Sequence, residues 1–143
     1  MGSSLDKFRS VMQQILWSKE PLSISALESM HCKFTRKEDH FSIQIILGYM
    51  ASFLTGTTDS STPVRPLHAS FYDFLSDKKQ SGDFFINKAD VHHELALSSL
   101  RVMQDGLWFN ICGLEMSYVR NSAVADLEVK IKKNIPQHLL YSC

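Results

Sequence analysis

No apolar run in this chain approaches the roughly 20 residues that cross a bilayer, and no secretory signal pattern opens it. The residue standing where a myristoylation signal needs Ser or Thr is Asp6. Charge of one sign is missing too. Lys+Arg and Asp+Glu both number 15 in 143 residues, for a formal net charge of +0. A general binder of nucleic acid or of anionic membrane carries a basic surplus, so both classes are disfavoured, with room left for a local basic patch. Cysteine is sparse. Cys32, Cys112 and Cys143 are odd in number and lack C-x-x-C spacing, which reads as free thiols in a reducing, cytoplasmic setting. The six glycines are isolated, so no G-x-x-x-x-G-K-[ST] phosphate loop forms. No G-x-S-x-G elbow is present, Ser/His/Asp do not assemble into a triad, and no repeat or low-complexity segment appears. Nothing here resembles a self-contained active site, and the expectation is a protein that is not an enzyme.

The remaining composition, 44% hydrophobic and 21% charged, suits a globular chain able to bury a core. Phe8, Val11, Met12, Ile15 and Leu16 form an amphipathic stripe for a helix over about 5–17, with Ser4 as its cap. Pro21 ends that segment and residues 21–24 alternate as a brief strand. Ser25-x-x-Glu28 is a capping box for a short helix through Met30. Thr35-x-x-Glu38 is another, opening a helix to about Ser52 with Ile43, Ile46, Leu47, Met50 and Leu54 inward. Phe53–Thr55 and Val64–His68 read as two strands around the polar loop 56–63, GTTDSSTP; Pro66 restricts the second to an edge or a kink. That order is the order of a winged helix, with 56–63 as the wing.

Next comes Leu67-His68-Ala69-Ser70-Phe71-Tyr72-Asp73-Phe74-Leu75. Ser70 and Asp73 make an acidic variant of the capping box, which leaves His68 just outside a helix N-terminus. A histidine there can donate to a phosphate, or it can be a strand-end residue satisfied by a neighbouring carbonyl. Residues 84–86 form a short apolar run on the core. Asn87 or Asp90 caps a long helix to about Trp108, with Ala96, Leu100, Met103 and Leu107 on one face, and the chain breaks at 110–113. Ser122 caps a last helix with the stripe Val124, Leu127, Ile131 and Ile135, and Pro136 stops it.

Two chemistries fall short of their patterns. His93-Glu94 starts like a zincin helix, but the position for the second histidine is Leu97. His31, Cys32 and His40 include metal-binding types without completing four ligands. Arg36 and Lys37 begin the helix that would enter a DNA groove, yet Glu38 and Asp39 follow at once and the wing carries Asp59 and no lysine.

Three stretches together, 20–27 (EPLSISAL), 64–75 (VRPLHASFYDFL) and 110–114 (NICGL), with His92-His93-Glu94-Leu95-Ala96-Leu97, resemble mushroom-type fungal NACHT proteins. These are STAND-class NTPases related to animal NOD-like receptors. The resemblance covers nearly the whole chain and corresponds to the winged-helix and following helical region. It implies that His68 matches the histidine reaching the β-phosphate of bound ADP in the off state, with Ser70 beside it and Phe71, Asp73 and Phe74 matching the motif scaffold. The chain departs from the family in lacking the Walker A loop, the Mg²⁺-binding acidic motif and their sheet. Without that core His68 has no nucleotide to read, and ADP or ATP is expected only in a full-length NACHT protein. Pro66 and Ala69 also depart from the family pattern.

The expected architecture is mainly α with a small β wing: a winged-helix-like domain over 1–76 and a helical extension over 77–143. The expected function is a non-enzymatic regulatory module whose partner is another protein or a neighbouring domain of the same chain, with no metal, no membrane and no nucleic acid. Two other classes stay in view. One is a stand-alone fungal effector (toxin, lectin or immune-active protein) acting through its surface; the other is a nucleic-acid-binding winged helix.

Overall fold

In the computed structural model, which describes residues 3–34 and 40–143, helix α1 spans Ser4–Trp17 and opens on a complete capping box. Ser3 Oγ accepts the Asp6 N–H at 3.2 Å, and the Asp6 carboxylate accepts the Ser3 N–H at 2.9 Å. The cap is thus Ser3 and not Ser4, because only Ser3 has the acidic residue three positions on that closes the box. Val11, Met12 and Ile15 are buried as the stripe requires, while Phe8 and Leu16 are partly buried against the core.

Helix α2 (Ile24–Phe34) starts earlier and ends later than its apparent box suggests. The Ser25–Glu28 box does not form; Ser23 Oγ faces the Ala26 N–H at 3.4 Å, and Ser25 Oγ donates to the Ser60 carbonyl at 3.2 Å. The reason lies in the sheet. Leu22 accepts the Val64 N–H at 2.9 Å and Ser23 bridges Pro63, so the chain stays extended through 22–23 and turns at once into the helix. At the other end, buried Leu27, Met30 and His31 keep the helix on the core beyond Met30.

The Thr35–Glu38 box, with Arg36 and Lys37, lies outside the described residues. Residues 40–42 are not helical, and α3 is the shorter Ile43–Tyr49, with Ile43, Ile46 and Leu47 buried. A turn closed by the Phe53 N–H on the Met50 carbonyl (2.9 Å) delivers Leu54 into β1 (Leu54–Thr55). Strand β2 (Arg65–Pro66) pairs with it antiparallel, Leu54 opposite Pro66 and Thr55 opposite Arg65. With the Ser23–Pro63 bridge this is a winged-helix sheet at minimal length, and the imino nitrogen of Pro66 restricts growth beyond it.

Helix α4 (Ser70–Ser76) leads into the short α5 (Lys78–Ser81), capped by Asp77, and a 3-10 turn at Gly82–Phe84. Helix α6 (Lys88–Gly106) is capped by Asn87, whose Oδ1 accepts the Ala89 N–H at 3.1 Å. Its buried face is Val91, Leu95, Ser98 and Val102, rotated from the expected face of Ala96, Leu100, Met103 and Leu107. Ala96, Leu100 and Leu107 are exposed and Met103 is only partly buried. The true face runs through a serine. Ser98 is small enough for close packing and gives its hydroxyl to the Leu95 carbonyl at 2.9 Å, so it behaves as an apolar position.

Ser122 falls inside a 3-10 turn (Asn121–Ala123) and caps nothing; α7 is Leu127–Asn134, entered through Asp126 at φ 54°. None of its residues is fully buried, and of the expected stripe only Ile135 packs on the core. Pro136 ends it and opens α8 (Gln137–Ser142), whose Leu139 is buried. Among the described residues the chain is mainly helical, with eight α-helices and one small antiparallel hairpin. The buried apolar residues form one cluster, drawn from Val11, Leu27, Leu47 and Val64 on one side and Ile86, Val91, Val102 and Leu139 on the other.

Candidate functional site

Helix α4 carries no side-chain cap from Ser70 or Asp73. Its N-cap position is Ala69, in helical conformation, and Asp73 is simply exposed in the first turn. His68 takes over the cap. Its Nδ1 lies 3.1 Å from the Ser70 backbone nitrogen and 2.8 Å from Ser70 Oγ. A backbone N–H can only donate, so Nδ1 accepts, Ser70 Oγ–H donates to the same atom, and the neutral ring carries its proton on Nε2. His68 and Ser70 are therefore brought together as the motif suggests, by a different bond from the expected box. Both are exposed, and the Nε2–H remains as the donor His68 can offer a ligand.

Behind this pair opens an apolar hollow of about 620 Å³. Its walls include Phe8, Phe53, Phe71, Phe74 and Phe84, five of the nine phenylalanines in the chain, with His68 and Ser70 at its polar end. The rings hold one another: Phe53 stacks on Phe71 with centroids 5.5 Å apart, and Phe8 meets Phe84 edge-on at 5.4 Å. Arg9 donates to the Asp83 carbonyl and so ties the 3-10 turn bearing Phe84 to α1. A second hollow of similar size adjoins it, sharing Phe8, Met50 and Phe84 and reaching Ile45 and Tyr49 on α3. Phe53, Leu67, Ile45 and Tyr49 are each more than half exposed, so the two hollows form one open apolar surface.

Of the motif residues, Phe71 and Phe74 line this surface and Asp73 does not. Phe8, Met50, Phe53 and Phe84 are site residues that no local motif marks, since they come from α1, the turn after α3 and the 3-10 turn. For Phe53 the available signal is negative, a large apolar residue that no buried stripe claims; Phe84, expected on the core with 85–86, is instead 47% exposed and lines the hollow, and of that run only Ile86 is buried.

The other chemistry-bearing residues fall elsewhere. His31 is 2% exposed, its Nδ1 accepts Gln14 Nε2–H at 2.9 Å, and its ring meets Phe41 edge-on at 4.6 Å. Burial, with a smaller contribution from His40, lowers its pKa to about 4. Cys32 is exposed on the same helix, and no group of His, Cys, Asp and Glu able to hold a metal occurs among the described residues. His93 is exposed at the start of α6. The described part of the helix expected to enter a DNA groove, α3, presents Gln44, Ile45, Gly48 and Tyr49, with no cation. Beside it, Asp59 accepts from Ser61 N–H (3.1 Å), Ser61 Oγ (2.6 Å) and Thr62 Oγ1 (2.8 Å), and these bonds lower its pKa to about 2. No helix among the described residues is long and apolar enough to cross a membrane.

Comparison with protein-family models, with curated proteins and with solved structures returned no match.

Proposed function

We propose that this chain is a non-enzymatic interaction module, the winged-helix region of a NACHT-type signalling switch, acting in the cytoplasm by docking its phenylalanine-lined surface against a neighbouring domain or protein. The observation that carries the reading is His68, held by Ser70 at the edge of that apolar surface with Nε2–H as its remaining donor. An apolar surface with one polar end suits a domain contact that surrounds a ligand acceptor. In a chain that also contains a nucleotide-binding core, Nε2–H would donate to a phosphate oxygen of ADP, and closure of the phenylalanine surface over that core would hold the off state. The motif stretches 64–75 and 110–114 support the same reading. Nucleic acid is a poor partner, given Asp59 and the uncharged described face of α3.

The test uses the chain joined to a nucleotide-binding core bearing G-x-x-x-x-G-K-[ST]. One hydrogen bond to a charged group is worth about 1.5 kcal/mol or more, so His68→Ala should weaken ADP binding at least about tenfold. Unchanged ADP affinity overturns the sensing role. The 143 residues by themselves should not hydrolyse nucleotide, because they contain no loop to position a metal and a γ-phosphate. ATPase activity that scales with this protein through purification would overturn the non-enzymatic reading.

A further inference from the structure

We propose that the phenylalanine hollow of one copy receives the aromatic loop 107–119 of a second copy. The loop displays Trp108, Phe109 and Tyr118, of which Phe109 is 98% and Tyr118 97% exposed, together with exposed Leu107 and Met116. Monomers seldom leave so much apolar surface in contact with water. The loop is not slack. Asn110 Nδ2 donates to the Leu114 carbonyl at 2.9 Å, Asn110 Oδ1 accepts the Leu114 N–H at 2.8 Å, and the Asn110 carbonyl accepts the Gly113 N–H at 2.8 Å. Ile111, partly buried, packs against the core at the middle of this turn. The aromatic side chains are therefore presented from a fixed base, which lowers the ordering cost of docking.

A copy cannot satisfy itself. Phe84, in the hollow, lies just before α6 and the loop lies just after it, and the 19 residues of α6 separate the two by about 28 Å. The dimensions suit an encounter between copies. Aromatic side chains bury about 150–250 Å² each, so three of them with Leu107 and Met116 approach the roughly 800 Å² per partner of a specific interface. Charge does not oppose it: the formal net charge is +0, and the rims carry both signs, Lys7 and Asp83 at the hollow, Glu115 and Lys130 beside the loop. Loop and hollow are different patches, so a copy that has lost one of them can still pair through the other.

This inference rests on the reading of the hollow as a docking surface and names a second copy as its occupant. Sedimentation of the intact chain, carried to sub-millimolar concentration, should show a mass that rises with concentration. Phe109→Ser, which removes the knob, and Leu67→Glu, which places a charge in the hollow, should each remain monomeric. Both positions are exposed, so both variants should fold, with the helical circular dichroism of the parent. The decisive arm mixes the two variants: each supplies what the other lacks, so association should return. A monomeric parent, association unaffected by either substitution, or a mixture that stays monomeric overturns the pairing. None of these outcomes bears on the ADP measurement with His68→Ala, so the two readings fail separately.

Discussion

His31 is the residue whose chemistry the fold changes most. In the unfolded chain it titrates near 6.5, and in the folded chain near 4, because burial penalises the imidazolium and His40 adds to that penalty. Between those values the unfolded state holds more protons, so stability falls as pH drops from about 6.5 to about 4 and does not change on this account above that window. Burial lowers the pKa of His138 as well, which acts with the same sign. Thermal midpoints recorded across that range should decline, and His31→Gln should flatten much of the slope. An unaltered slope in the variant would remove His31 from the account. His68 is the contrasting case: exposed, its ring held by Ser70, it should cost no more than about 1 kcal/mol on substitution by Ala in this chain. Both histidines stand out in the sequence, His68 by its motif and His31 as a metal-binding type. What the sequence hides is the partner. Gln14 reads as one of the polar positions of α1, yet it is 2% exposed and faces His31 across 17 positions of chain, a pairing that only the packing of α1 on α2 creates.

Element boundaries follow local chemistry where a cap is complete and fail where sheet or packing competes with it. The Asn87 cap, one of the two offered for α6, is legible in the chain, as are the two strands and the wing between them; the α1 cap lies one residue before the expected Ser4, at Ser3, where the spacing to Asp6 marks it. The Ser25 and Ser70 boxes lose, one to the extended pairing of Leu22–Ser23 with Pro63–Val64 and one to the ring of His68. The wing itself turns on Gly56, at φ 74°, where a β-carbon would lie 2.3 Å from the Pro63 carbonyl oxygen. Gly56→Ala should therefore destabilise by at least about 1–3 kcal/mol in urea unfolding, through strain and collision together. A change near zero would mean that the hairpin does not close there. Beyond Gly56 the loop is mostly exposed, held by the Asp59 bonds within it and by Ser25 at the Ser60 carbonyl, so limited proteolysis should nick 57–62 before α2 or α3. First cleavage within 43–50 would speak against the wing.

At the scale of the whole molecule the C-terminal helix closes the structure made by the N-terminal half. Gln137 Oε1 accepts the Ser23 hydroxyl at 2.6 Å and Ser23 N–H at 3.3 Å, and Tyr141 Oη accepts the Lys19 N–H at 3.2 Å. Leu139 reaches back to α6, where a β-carbon on Gly106 would sit 3.0 Å from its Cδ1, and it belongs to the same buried cluster as Met12 and Leu27. No periodicity announces this, because a six-residue helix after Pro136 is too short to show a stripe, and its importance comes from contacts more than a hundred positions away. If the core is one cooperative unit, Leu139→Ala should cost about 2–5 kcal/mol, a large part of a typical stability of about 5–15 kcal/mol. The loss should register equally at the far end of the fold. Trp17, buried in α1 beside Tyr72 at 4.8 Å between rings, lies outside the helix being altered. With the chain's other tryptophan removed as Trp108→Phe in parent and variant alike, Trp17 fluorescence and the helical circular dichroism should lose half their amplitude at the same reduced urea concentration. A Trp17 transition that keeps the parent midpoint while helix content falls early would mean that the wing-bearing half stands without α6 and α8, and that the shared cluster only joins two units that fold separately.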